Sequence, residues 1–190
     1  MMIKALILDV DGVIVDSNKI SIDCKINAFK QFGLNLEDYS PIYTSISLKH
    51  LVKKVNKELK KNILLEEFID KRESLYEQSI KNRLKLFDGV KELLIRAKEK
   101  GLKLGLVTAG TKRKLQASLK AVCLDFKFNT IVTADDVEKH KPNPGLYLRA
   151  AKNLRIDPKD CIVVEDTAEG IIAAKNAGMQ CIAITNTYPK

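Results

Sequence analysis

The sequence predicts an α/β fold, a parallel sheet covered by helices on both faces with a helical insertion near the N-terminus. Three observations predict it. Five short apolar runs read as buried strands. Helical patterns separate the last four of those runs. The stretch from about residue 18 to residue 84 carries helical spacing and no convincing strand.

The first apolar run, Ile3 to Leu8, leads directly into Asp9-Val10-Asp11-Gly12-Val13-Ile14-Val15-Asp16-Ser17. Two carboxylates therefore sit at the C-terminal end of a strand, and Gly12 lets the backbone turn sharply after them. In an open parallel sheet, that end is where ligands bind. Grouped carboxylates raise the electrostatic energy unless a cation or a shared proton relieves it. A solvated turn also uses Asp and Gly, so later residues must separate the two readings.

The insertion follows at once. Ile22, Ile26 and Phe29 line one helical face that ends near Gly33. Leu48, Leu51, Val52, Val55 and Leu59 line a second. Leu65, Phe68, Ile69, Leu75 and Tyr76 line a third. The expected division is a core of residues 1–17 and 85–190 with a helical cap of residues 18–84. The other placement for that segment is a helical lobe packed away from the carboxylates.

After the insertion, strand and helix alternate. Asp88 to Lys100 is helical and stops at Gly101. Lys103 to Thr108 is a strand, and Lys112 to Val122 a helix. Thr130 to Thr133 is a strand, and Pro144 to Leu154 a helix. Cys161 to Glu165 is a strand, Ala168 to Ala177 a helix ending at Gly178, and Cys181 to Thr185 a strand. Glycine just past a helical run is an expected stop.

Composition narrows the function classes. No apolar run is long enough to span a bilayer, and the N-terminus lacks a signal-peptide pattern, so the cytoplasm is the default. Cys24, Cys123, Cys161 and Cys181 are scattered without a C-x-x-C, and Cys161 and Cys181 read as small core residues. The net charge of +9 is mostly lysine spread along helical faces, with no aromatic platform interleaved. That pattern fits a solvated basic surface able to steer anionic ligands better than a nucleic-acid interface.

Three further stretches carry chemistry. Thr108 ends the second strand in Leu106-Val107-Thr108-Ala109-Gly110-Thr111, where a hydroxyl and backbone N–H groups make a small anion cradle. Lys141 lies in Lys141-Pro142-Asn143-Pro144, a stiff loop able to aim an ammonium; the same residues suit an exposed lysine before a helix. Glu165-Asp166 ends another strand. Asp166 suits a helix cap, or, with Asp9 and Asp11, an oxygen ligand for a hard divalent cation.

With Asp9-Val-Asp11-Gly12, Thr108, Lys141 and Glu165-Asp166 in this order, the chain resembles the haloacid dehalogenase superfamily of phosphatases and phosphotransferases over its whole length. The run from Glu165 to Met179 is similar to the subgroup of phosphoglycolate phosphatase and β-phosphoglucomutase. The resemblance implies a three-layer, Rossmann-like core and an inserted helical cap. It implies a Mg²⁺-dependent phosphatase for a small phosphorylated metabolite, such as phosphoglycolate, a sugar phosphate or a nucleotide. In it Asp9 is the nucleophile that forms an aspartyl-phosphate. Asp11 is the general acid and then the base, and its main-chain carbonyl binds the metal. Asp166 is the second carboxylate ligand, with Glu165 acting through a metal-bound water. Thr108 and the Ala109 N–H hold phosphate oxygens, and Lys141 offsets the charge of phosphate and Asp9. Asp11 argues against a dehalogenase, which lacks that acid.

Two departures bear on the choice within the subgroup. A phosphomutase of this kind carries a histidine near the position of Ser21 and a Ser-Arg pair where this chain has Ser47-Leu48. Both absences favour the phosphatase over the mutase, which stays as the alternative. In the cap, Arg72 is the expected substrate contact, with Lys71 and Lys49 behind it, unless these are solvated basic residues. Relatives are expected to continue beyond the point matching Tyr188, whereas this sequence stops at Lys190. The expected partner is a small phosphorylated metabolite rather than nucleic acid or a membrane, with the chain a monomer or weak homodimer.

Overall fold

The structure, a computed structural model, describes residues 2–35 and 48–187. The chain divides into two compact units, one of residues 1–16 and 84–190 and the other of residues 17–83. The crossings expected from the sequence lay one residue later.

The first unit is built on five parallel strands: β1 (Ala5–Asp9), β2 (Lys103–Val107), β3 (Thr130–Val132), β4 (Cys161–Glu165) and β5 (Gln180–Ala183). Their order is β3-β2-β1-β4-β5, so β1 is central and pairs with β2 on one side and β4 on the other. Every residue of β1 is buried, so its apolar run is continuous rather than alternating. Ala5 and Ile7 face one side and pack with Val107, Val163 and the apolar faces of α6 (Gly145–Leu154) and α7 (Ala168–Asn176). Leu6, Leu8, Leu104 and Leu106 face the other side and are buried too. Helix α4 (Val90–Glu99) lies against β2, and α5 (Lys112–Ala121) follows it. This is the expected Rossmann-like α/β core.

Two expectations for strands change. The first strand begins at Ala5 rather than Ile3. The last runs from Gln180 to Ala183 rather than from Cys181 to Thr185, and it is an edge strand with mostly exposed side chains; Cys181 is only half-buried. An edge strand has a neighbour on one side only, so an apolar run there does not imply full burial.

The second unit holds α1 (Asn18–Lys30), α2 (Leu48–Glu58) and α3 (Leu65–Ser79). Its core joins Ala28, Phe29, Leu51, Val52, Val55, Ile63 and Phe68, with the Phe29 and Phe68 rings 4.3 Å apart. The inward stripe of α1 is Ile20, Cys24 and Ala28, together with Phe29, whereas Ile22 and Ile26 are half-buried. On α3 the buried face is Phe68, Arg72, Glu73 and Tyr76. Arg72 is 3% exposed, and its Nη2 donates to Glu73 Oε1 at 3.0 Å. The solvated reading of Arg72 is thereby corrected. Four residues after Phe68 and four before Tyr76, it falls on the packed stripe. Lys71 is half-buried with its ammonium 5.5 Å from the centroid of the Phe32 ring, and Lys49 is exposed. Ser47 of the Ser47-Leu48 comparison, and Tyr188 to Lys190, lie outside the described residues.

Candidate active site

Strand register decides which side chains meet. Asp9 continues the Ala5 and Ile7 face of β1, and Glu165 continues the Val163 face of β4; Ile7 and Val163 are partners across the sheet. The two carboxylates therefore emerge on one face at adjacent strand ends. Both are buried, Asp9 at 5% exposure and Glu165 at 0%.

Lys141 lies between them. Its Nζ donates to Asp9 Oδ1 and, at 2.5 Å, to Glu165 Oε1. The loop that carries it leads into α6, where Asn143 Oδ1 accepts from Gly145 N at 3.0 Å. Burial by itself would lower the lysine pKa. The charges of Asp9, Tyr147 and Glu165 outweigh it, and Lys141 is held well above its usual range. Burial raises the Asp9 pKa well above the carboxylate range. Lys141 opposes that rise, while the charges of Glu165, Asp11 and Asp166 add to it.

Glu165 is held by protein donors on both carboxylate oxygens. Oε1 accepts from Lys141 and from the Tyr147 hydroxyl at 2.8 Å. Oε2 accepts from the Asp166 N–H, the Thr167 N–H and Thr167 Oγ1. Burial would raise its pKa, but the Lys141 charge and these hydrogen bonds hold it below the carboxylate range. With both oxygens engaged by protein donors, Glu165 organises Lys141 and the loop before α7. Gly170 makes this packing possible, because a Cβ there would run into the Glu165 carboxylate.

Asp11 lies beyond the end of β1, in a turn where Gly12 has φ +84° and its N–H donates to Val15 O at 2.9 Å. Its side chain is 22% exposed. Thr108 Oγ1 donates to Asp11 Oδ2 at 3.3 Å and accepts from Gly110 N at 2.9 Å. Lys114 Nζ donates to Asp11 Oδ1 at 2.5 Å. Ala109 is exposed beside them. Asp166 is buried and accepts from Thr187 Oγ1. The neighbouring Asn186 side chain donates to Gly12 O at 2.8 Å, so the segment after β5 is tied to the first motif.

The structure thus gathers Asp9, Lys141 and Glu165 in one group and Asp11 and Thr108 in another, at adjoining strand ends. Arg72 belongs to the other unit. Sequence reasoning missed Tyr147, Lys114 and Thr187. Tyr147 falls on an apolar helix face, Lys114 ends a run of three basic residues and Thr187 follows the last strand, so none of them carries a motif signal.

Among the described residues, no three His, Cys, Asp or Glu side chains converge on a metal-sized point. The donor set that remains is the Asp9 and Asp166 carboxylates with the Asp11 main-chain carbonyl. It fits Mg²⁺, which takes one or two carboxylates and keeps several waters. The negative charge that Asp11, Asp166 and Glu165 add at Asp9 is the kind a divalent cation relieves.

A family model described as haloacid dehalogenase-like hydrolase matches residues 6–184. The chain belongs to that family. Among relatives of this haloacid dehalogenase-like hydrolase, the Bacillus subtilis (strain 168) protein named Putative phosphatase YhcW is 36% identical over 97% of this chain and 84% of its own length. Hexitol phosphatase B of Escherichia coli (strain K12) is 27% identical over 96% of this chain and 83% of its own. The crystal structure of a hydrolase from Pseudomonas syringae aligns with a TM-score of 0.85 at 26% identity, covering 98% of this chain and 87% of that one. Among the described residues of this hydrolase, no helix is long and apolar enough to cross a membrane.

Proposed function

We propose that this hydrolase is a Mg²⁺-dependent phosphatase that hydrolyses a small phosphate monoester through an aspartyl-phosphate on Asp9. The observation that carries the reading is the buried Asp9–Lys141–Glu165 group: a carboxylate at a strand end, held by a lysine that a second carboxylate fixes in place.

Asp9 supplies the attacking oxygen, and its carboxylate becomes the acyl phosphate as the P–O bond to the alcohol breaks. Lys141 opposes the effect of burial on Asp9, favouring its anionic form, and faces the phosphoryl oxygens. Thr108 and the Ala109 N–H bind those oxygens. Asp11 gives a proton to the leaving alkoxide, then takes one from the water that attacks the acyl phosphate. Mg²⁺, held by Asp9, Asp166 and the Asp11 carbonyl, would offset the repulsion between an anionic nucleophile and an anionic ester. The helical unit acts as the cap that sets substrate preference. The position where a mutase carries its histidine is Ser21, buried in α1, which supports hydrolysis over transfer to a second sugar hydroxyl. A soluble site in the cytoplasm and action as a monomer or weak homodimer complete the reading.

The experiment is a panel of phosphate monoesters assayed for phosphate release with Mg²⁺ and with excess chelator. Release that requires Mg²⁺, with acid-stable, hydroxylamine-labile label on the protein during turnover, supports the proposal. Full activity in chelator, or no release from any ester, overturns it.

A further inference from the structure

Lys112 and Arg113 are exposed at the start of α5, but Lys114 is 6% exposed. A lysine is rarely buried unless it is paired. Its partner is Asp11, whose Oδ1 accepts from Lys114 Nζ at 2.5 Å. The other carboxylate oxygen, Oδ2, accepts from Thr108 Oγ1 at 3.3 Å. Asp11 is thus gripped at both oxygens by groups from the β2–α5 region.

The lysine is itself fixed from both ends. Thr111 caps α5, its hydroxyl accepting from Lys114 N at 3.2 Å, and Ser118 Oγ donates to Lys114 O at 2.9 Å. The stem passes Gly110 closely: a Cβ at Gly110 would lie 3.1 Å from Lys114 Cδ and 3.2 Å from Thr108 Oγ1. Room for the lysine is therefore built into the loop.

We propose that Lys114 is a positioning residue that fixes the orientation of the Asp11 carboxylate for proton transfer to the leaving group. The inference rests on the phosphatase reading above. Phosphate neutralisation remains with Lys141, which pairs with Asp9 and Glu165 instead. The two lysines thus divide the carboxylates between nucleophile and acid. A lysine that held only the fold would slow all esters alike. A lysine that bound substrate directly would raise KM. A lysine that orients the acid makes its loss depend on how badly the leaving group needs a proton.

The test compares wild type, K114M, K114Q and K114R on alkyl phosphates and on aryl phosphates of decreasing leaving-group pKa, with Mg²⁺ present. Thermal melts establish which variants are folded, and the comparison uses those. The expected result for K114M or K114Q is a kcat/KM loss of about 10²-fold on alkyl phosphates, as for other misplaced catalytic groups. Dinitrophenyl phosphate, which departs without a proton, should keep kcat/KM near wild type, any fall in its kcat being matched by a fall in KM because Asp11 is also the base of the second step, and K114R should partly reverse the steeper leaving-group dependence. Equal losses on all esters, a change in KM alone, no loss, or unfolding of all three variants would overturn the inference. Wild-type inactivity on every ester would instead overturn the phosphatase reading.

Discussion

The Tyr147 hydroxyl and the Glu165 carboxylate are hydrogen-bonded at 2.8 Å, on the same oxygen that Lys141 holds at 2.5 Å. The tyrosine thus shares the task of fixing the lysine, whose ammonium stands 5.3 Å from the centroid of the Tyr147 ring. Tyr147→Phe keeps the ring and removes one bond to a charged acceptor, an interaction of about 1.5–3 kcal/mol. Chemical denaturation should show a loss in that range. The kcat should fall less than for Lys141→Ala, because the Lys141–Glu165 pair remains. A Tyr147→Phe protein as stable as wild type would show that the bond contributes nothing net.

Asp9→Asn is nearly isosteric but is a poor nucleophile. The protein should fold, and turnover should drop on the order of 10⁴-fold or more, leaving only what binding and electrostatics provide. Phosphate release at normal rates from a sequence-verified preparation would remove Asp9 from the mechanism.

Gly170→Ala should place a methyl group against the Glu165 carboxylate. Alanine gains up to about 1 kcal/mol of helix propensity over glycine, while overpacking costs about 1–3 kcal/mol. The overpacking exceeds the propensity gain, and the hydrogen bonds of Glu165 are lost with it, so the melting temperature should fall. Displacing Glu165 also releases one side of Lys141, and kcat of the folded fraction should fall as well. Unchanged kcat would mean that Lys141 is held by Asp9 alone.

Arg72→Ala removes the ion pair that the buried Glu73 makes with its neighbour on α3. Breaking a buried pair in this way typically costs about 3–5 kcal/mol. A double change of Arg72→Met with Glu73→Leu should cost much less. Denaturation curves of the two variants check this, and the ester panel on Arg72→Ala reads any effect on substrate preference. Equal stability of the two variants would show that the pair is not coupled.

The four cysteines should label in an order set by exposure. Cys123 is exposed, Cys181 half-buried, and Cys24 and Cys161 buried. Burial pushes the Cys161 thiol up to about 11. Near pH 8, a thiol reagent should modify Cys123 quickly, and Cys24 and Cys161 only after unfolding. Rapid labelling of Cys161 in the folded protein would contradict the packing of β4.

Much of the fold is legible in the sequence, for identifiable reasons. β4 matched its apolar run because a strand buried on both faces needs a continuous apolar stretch. The carboxylates at Asp9, Asp11 and Asp166 were readable because strand ends are where a parallel sheet exposes polar groups. Other features depend on three-dimensional neighbours. Lys114 is indistinguishable in sequence from the exposed Lys112 and Arg113 before it. Tyr147 fitted an apolar helix face, and only the packing of α6 brings its hydroxyl to Glu165. Glu165 was recognised as important, but its role depends on how many donors surround it, which spacing does not encode. The solvated reading of Arg72 overlooked its position between Phe68 and Tyr76, which already placed it on the buried face.

The central place of β1 also has a consequence during synthesis. This strand is made first, yet its partners are β2, where Ala5 meets Lys103, and β4, where Ala5 meets Cys161. Roughly sixty residues separate those partners, so at ~5–20 residues/s the ribosome takes about 3–12 s to pass from one to the other. Through that interval an apolar strand can be paired along one edge and bare along the other, open to pairing with a neighbouring nascent chain. Crowded polysomes and slow codons between β2 and β4 are therefore where expression of this enzyme is most exposed to aggregation.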